Sequence, residues 1–280
     1  MAKGIAINIG LNSVDPDHYD GWDGQLNACE ADAEDMRRIA QSQGFETQAF
    51  ILTKDATADT VRQALQDAAQ ELSEGDLLFL TYSGHGGQVP DTNSDEPDAR
   101  DETWVLYDRQ LVDDELYAMW AGFDPGVRIF ALSDSCHSGT VTRAIYEETL
   151  IPMTVERGFG AESSVRTKDL PLHVQAETYR QHQDQYDEIQ RNNPRAEEVD
   201  IAAGVILVSG CQDNQLSLDG VQNGLFTSKL LEVWRSGEFK GGHRRFRKSI
   251  ANLMPPSQTP NFFPVGEVRR SFVRQRPLTI

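Results

Sequence analysis

The stretch from Val127 to Gly139, VRIFALSDSCHSG, decides how this chain is read. Pro125-Gly126 precede it and Ser138-Gly139 close it. A short apolar run bounded by turn residues fits a strand covered on both faces. In open α/β sheets ligands gather beyond the carboxyl ends of such strands, so Cys136 is expected at the rim of a sheet. Asp76 to Tyr82 has the same construction and runs into Ser83-Gly84-His85-Gly86-Gly87. If the two strands are parallel neighbours, His85 and Cys136 arrive at one edge. Thiolate is the attacking form of cysteine, and an adjacent imidazole takes up or stabilises its proton. The amides of Gly86 and Cys136 are the expected donors to an oxyanion, because a glycine leaves the approach to its backbone N–H unobstructed. Together these groups are the minimum needed for acyl transfer.

At 280 residues the chain is long enough to bury a full core. A formal charge of −18 repels nucleic acid and anionic membrane surfaces, so neither is expected as a partner, and a cationic substrate is favoured. The same acidity also serves solubility. Three cysteines, Cys29, Cys136 and Cys211, are too few for a disulfide framework and suit a reducing compartment. The apolar run at the N-terminus is too short for a signal peptide and reads as a first strand, and there is no transmembrane run. A cytoplasmic protein is expected.

In chain order, apolar spacing predicts a helix over 28–42, a strand over 45–52, a helix capped by Thr57, and the histidine-bearing strand. An acidic loop follows over 89–102, then a strand over 103–107, a helix opened by Asp113-Asp114, and the cysteine-bearing strand. This order predicts a mainly parallel sheet with helices on both faces. Residues 143–200 are highly charged and read as an exposed insertion with one helix between Val174 and Gln190. Order returns with a buried strand at Ala203–Val208, a helix over Asn223–Trp234 and a last strand at Ser271–Val273. The expected organisation is therefore a catalytic portion over 1–143, an insertion over 144–200 and a second portion of the same domain over 201–280.

Tyr82-Ser83-Gly84-His85-Gly86 and Asp134-Ser135-Cys136-His137-Ser138-Gly139 together resemble the two catalytic motifs of the metacaspases. The two residues stand about fifty positions apart, as in caspases, while the Gln-Ala-Cys signature of animal caspases is absent. The resemblance continues through residues 26–32, 209–215, 223–227 and 258–260, and so covers nearly the whole chain. It implies a caspase-like three-layer α-β-α sandwich and a monomer. It also implies a cysteine endopeptidase that cuts protein or peptide substrates after Arg or Lys. The pocket for the residue before the cut bond would be formed by Cys29, Asp32, Ser83 and Asp134. Two carboxylates there would hold a basic side chain by charge-assisted hydrogen bonds and repel an acidic one. The alternative function is a caspase-like regulatory scaffold whose chemistry is dispensable. No residue pattern identifies an activating or regulatory protein.

No cofactor is required by this chemistry. Zinc is a poor fit because adjacent Cys136 and His137 cannot easily share one ion. The acidic loop matches some EF-hand positions, but Glu96 replaces the glycine such a loop needs. Calcium-dependent metacaspases use a different cluster, which this chain resembles at Asp101, Asp113 and Asp114. Arg143 stands where a fourth acidic ligand is usual, and its charge could replace the ion, so calcium is left open. Basic residues of the insertion, Arg143, Arg157, Arg166, Lys168, Arg180, Arg191 and Arg195, are candidates for self-cleavage.

Overall fold

The computed structural model describes residues 2–92, 99–135, 166–193, 198–211, 215 and 217–280. Its frame is set by β1 (Gly4–Gly10), β3 (Leu77–Ser83) and β7 (Arg128–Asp134). β1 and β3 are buried at every position and β7 at all but its first, as expected of strands sandwiched between helices. With β2 (Glu46–Leu52), β8 (Gly204–Ser209) and β9 (Phe263–Gly266) they form one sheet in the order β2-β1-β3-β7-β8-β9. All pairs are parallel except β8 with β9.

Side-chain alternation divides the core between the two faces. Phe79, Phe130 and Ile206 point toward α1 (Cys29–Ser42), α6 (Leu225–Trp234) and α7 (His243–Ala251). Ile7, Leu80 and Ile129 point toward α2 (Ala58–Glu71) and α3 (Asp113–Ala121). Helix α1 fits its face because Cys29, Ala33, Met36 and Ala40 recur at helical spacing and are all buried. Thr57 caps α2 as expected, its hydroxyl accepting from the Thr60 amide at 3.2 Å.

Three sequence expectations are corrected. The loop expected over 89–102 is bounded by strands: β4 (Gly86–Pro90) pairs antiparallel with β5 (Arg100–Val105), which pairs with β6 (Gln110–Val112). The strand expected at Ser271–Val273 is helical, within α8 (Arg270–Arg274). The sheet instead ends at β9, whose Pro264 lacks an amide proton and is tolerated on an edge strand. The basic segment beginning at His243 forms α7, burying His243, Phe246 and Ile250 while its basic residues cover the outer face.

The third correction concerns the exposed insertion. Residues 166–193 pack onto β4 through α4 (Leu172–Gln181) and α5 (Gln183–Asn192), with Lys168, Val174 and Tyr186 buried. The helix expected between Val174 and Gln190 is two, broken at His182. The many polar residues in this segment concealed a narrow apolar stripe. Among the described residues no helix is long and apolar enough to cross a membrane.

Tyr82 joins the large sheet to the small one. Its hydroxyl lies 2.6 Å from the His85 carbonyl and 3.0 Å from the Val105 carbonyl, and its ring stacks on Trp104 at 4.5 Å. Tyr82→Phe is expected to lower the unfolding free energy in urea by about 1–2 kcal/mol, because buried carbonyls lose their donor. An unchanged denaturation midpoint would contradict this role.

Candidate active site

The β3–β7 register places Ser83 beside Asp134 at the carboxyl edge of the sheet. Both side chains lie on the α1 side, where Asp32 completes an acidic hole. All three are buried. Ser83 Oγ donates to Asp32 Oδ2 at 2.8 Å, Ser217 Oγ donates to Asp134 Oδ1 at 2.6 Å, and Thr227 Oγ1 donates to Asp134 Oδ2 at 3.2 Å. The Gly224 amide donates to Asp32 Oδ1 at 3.0 Å. A side chain at 224 would place its Cβ 2.6 Å from Asp134 Oδ2, so only glycine lets the backbone come this close.

The hole holds a cation supplied by the chain itself. Lys168 Nζ donates to Asp32 Oδ2 at 3.0 Å, to Ser83 Oγ at 2.9 Å and to Asp134 Oδ2 at 2.9 Å, and its side chain is fully buried. Its three donors meet three acceptors, so the ammonium is fully satisfied. Burial works against that charge, but Asp134 and Asp32 outweigh it and hold the pKa well above the ordinary lysine value. Cys29 is buried alongside, and burial raises its thiol pKa, so it remains protonated and serves as packing.

His85 follows β3 and is fixed from one side of its ring. Its Nε2 lies 2.9 Å from the Gly24 carbonyl, which can only accept, so Nε2 carries the proton and Nδ1 presents a lone pair. Nδ1 has no hydrogen-bond partner among the described residues. Gly24 has φ +58°, a backbone shape that favours glycine, and Trp22 packs against the imidazole at 4.7 Å. Burial lowers the His85 pKa to about 4, against the opposing pull of the Gly24 carbonyl and Asp169.

The segment carrying Lys168 lies along the same edge in extended form. The Gly86 amide donates to the Lys168 carbonyl at 3.0 Å, and the Lys168 amide donates to the Ser217 carbonyl at 2.9 Å. On either side, the Leu170 amide donates to the Gly86 carbonyl at 2.8 Å, and Thr167 bridges to Leu218. Gly86, expected as an oxyanion donor, thus already holds a peptide carbonyl.

Cys136 and His137 lie outside the described residues, as does Arg143. The chain leading to Cys136 is held firmly: Trp104 Nε1 donates to Ser133 Oγ at 3.0 Å, and Cys211 Sγ donates to the Ser135 carbonyl at 3.2 Å. Asp101 lies on β5, and Asp113 and Asp114 open α3. Among the described residues no group of three or more His, Cys, Asp or Glu side chains is arranged to hold a metal ion.

A caspase-domain family model matches residues 4–267, the span that builds both the sheet and the acidic hole. The chain belongs to the caspase-domain family. It is 31% identical to a Metacaspase-1 of Kluyveromyces lactis over 254 residues, 80% of this chain and 56% of that protein. Over 256 residues it is 30% identical to a Metacaspase-1 of Mycosarcoma maydis, covering 81% of this chain and 60% of that one. The chain therefore spans less than two thirds of these relatives. A Geobacter sulfurreducens protein of known crystal structure is 50% identical, with a TM-score of 0.87 over 99% of this chain and 98% of its own. Caspase-1 of Spodoptera frugiperda, 10% identical, shares the fold with a TM-score of 0.52 over 96% of this chain and 88% of its own. The three-layer sandwich and the metacaspase resemblance read from the sequence are both borne out.

Several residues of this caspase-domain site carry no motif. Ser217 holds Asp134, and Gly24 holds His85, through groups common in any loop, whereas Thr227, which also holds Asp134, lies in the first turn of α6 within a stretch that resembles the family. Gly224 lies within a stretch that resembles the family, yet its contact with Asp32 becomes evident only in three dimensions. His18 and His182, unreadable in sequence, stack at 4.1 Å and fasten the loop bearing Gly24 to the α4–α5 pair. His18 Nε2 also lies 2.9 Å from the Tyr186 hydroxyl.

A histidine with a lowered folded-state pKa stays neutral where an unfolded one would begin to protonate. The unfolded state then binds more protons between roughly pH 6.5 and pH 4, so acidification through that window destabilises the fold. In NMR titration of the intact Cys136→Ala chain, the His85 ring resonances are expected to keep their neutral positions down to about pH 5. A midpoint near 6.5 would show that the ring is not sequestered.

Proposed function

We propose that the protein is a cysteine endopeptidase that cuts after Lys or Arg, with Cys136 as nucleophile and His85 as its proton acceptor. One observation carries this reading: an extended peptide whose lysine ammonium is bound by Asp32 and Asp134 has its carbonyl on the Gly86 amide. A basic residue in the hole and a carbonyl on an oxyanion donor are what a peptidase of this specificity requires. His85 and Cys136 follow the paired residues Ser83 and Asp134 by the same two positions, which supports their meeting at one edge.

Each step follows from the groups in place. The neutral imidazole offers Nδ1 to take the thiol proton, and the thiolate attacks the carbonyl of the basic residue. The Gly86 amide stabilises the resulting oxyanion. His85 returns the proton to the leaving amine, and water then hydrolyses the thioester. Asp32, Ser83 and Asp134 hold the substrate cation throughout. They favour lysine or arginine over aspartate, whose carboxylate would be repelled.

The test is a set of reporter peptides differing only in Arg, Lys, Asp or Leu before the cut bond. Turnover is expected for Arg and Lys alone, to vanish in Cys136→Ala, and to fall about 100-fold in kcat/KM in Asp134→Asn, equivalent to about 3 kcal/mol of lost charge-assisted binding. Undiminished turnover in Cys136→Ala, or a preference for Leu, would refute the assignment.

A further inference from the structure

We propose that the outer surface of α7 and α8 is a docking site for an acidic segment of a partner protein, a run of aspartate and glutamate side chains held mainly by arginine. The surface stands apart from the proposed peptidase reaction, in which none of its residues takes part.

Charge is spread unevenly along the chain. Residues 235–280 contain ten Lys or Arg and two Glu, a balance of +8 in a chain whose total is −18, which leaves the other 234 residues at −26. Eight of the ten are arginine, whose planar fork binds a carboxylate through two parallel hydrogen bonds. The fold gathers several of them on one surface. Helix α7 buries His243, Phe246 and Ile250, so Arg244, Arg245 and Lys248 are turned to solvent. Helix α8 lies beside the first turn of α7: Phe272 packs against His243 at 4.9 Å, and a Cβ at Gly242 would come 2.9 Å from Arg274 Cα. Arg270 and Arg274 are exposed there, as is Lys240 just before α7.

The protein does not neutralise these side chains itself. Among the described residues none of the six forms an ion pair, whereas Arg269 at the margin is paired with Glu74 at 2.9 Å. Arg244 is held over the Phe262 ring at 4.5 Å, a contact that positions its guanidinium without cancelling its charge. Carboxylates are plentiful in so acidic a chain, yet the fold brings none to these cations, which leaves them able to receive carboxylates from outside.

Range and shape select the occupant. Salt limits charge interactions to about 8 Å at physiological ionic strength, so a short acidic segment lying on this surface responds to the local positive charge. A nucleic-acid duplex or a membrane extends over the rest of the molecule and meets its negative charge. Membrane binding also needs an apolar helix face, and that of α7 is already buried in the core. The surface lies at the amino edge of the sheet, where Arg128, the first residue of β7, donates from Nη1 to Gln275 Oε1 at 2.8 Å just after α8. The acidic hole is at the opposite, carboxyl edge, so a docked partner leaves it open.

The experiment measures binding of a fluorescein-labelled peptide of about eight glutamates to the full chain by anisotropy. Micromolar binding that weakens as salt rises is expected. Arg244→Glu/Arg245→Glu/Lys248→Glu should weaken it about tenfold. Arg38→Glu/Arg180→Glu/Arg191→Glu changes the total charge equally at exposed positions elsewhere and should alter binding less than about threefold. Circular dichroism and the urea midpoint report whether each variant folds, and Arg244→Gln/Arg245→Gln/Lys248→Gln should show a smaller loss in the same direction if the glutamate variant does not. Labelled duplex DNA and phosphatidylserine vesicles are expected to bind more weakly than the peptide. Tighter binding of either, no binding of the peptide, or equal losses in the two glutamate variants would overturn the proposal. So would a wild-type chain that dimerises in sedimentation velocity and becomes monomeric on substitution of α7, since the surface would then belong to a second copy.

Discussion

The in-register parallel pairing of β3 with β7 is the constraint on which the site depends. Because Ser83 lies opposite Asp134, two chain segments leave the sheet at the same level, one toward His85 and the other toward Cys136. A slip of one residue would turn Asp134 to the other face of the sheet and separate it from Asp32. The register is held by alternating apolar residues on both faces, which gives each strand one compatible offset. Long-range apolar packing thus fixes the position of polar groups that gain nothing from it themselves.

Much of this was legible because buried parallel strands leave a strong trace in sequence. The runs at 77–82 and 128–132 are apolar on both faces and end in Gly-rich or Ser-rich turns, so their type and the location of the site beyond them follow from pattern alone. The 166–193 region was misread for the converse reason. Its buried contacts come from a few scattered residues, Leu170, Val174 and Tyr186, among many charges. Local composition therefore indicated solvent while the tertiary contacts indicated packing. Lys168 was legible only as a basic residue, because burial of a lysine depends on carboxylates far from it in sequence, and no local pattern encodes that pairing.

The edge strand illustrates the same limit on a smaller scale. Phe263-Pro-Val-Gly266 contains a proline and is short, features that argue against a strand in the middle of a sheet but are acceptable at its border. Ser271 to Val273 looks more strand-like by composition, yet it is helical, with Phe272 inserted into the core against His243 at 4.9 Å between ring centroids. Position in the sheet, which sequence does not state, reverses both readings.

The acidic hole has an electrostatic consequence for exchange. Asp32 and Asp134 share a space closed to water, where two bare carboxylates would repel each other and each would lose its hydration. Removing one partner of a buried ion pair costs about 3–5 kcal/mol, whereas replacing it with another cation of similar reach costs far less. The hole therefore favours occupation by a cation over vacancy, and Lys168 is the cation that fills it. A lysine tethered beside the pocket is present at an effective concentration on the order of millimolar, so a free peptide in micromolar amounts competes poorly while the tether holds.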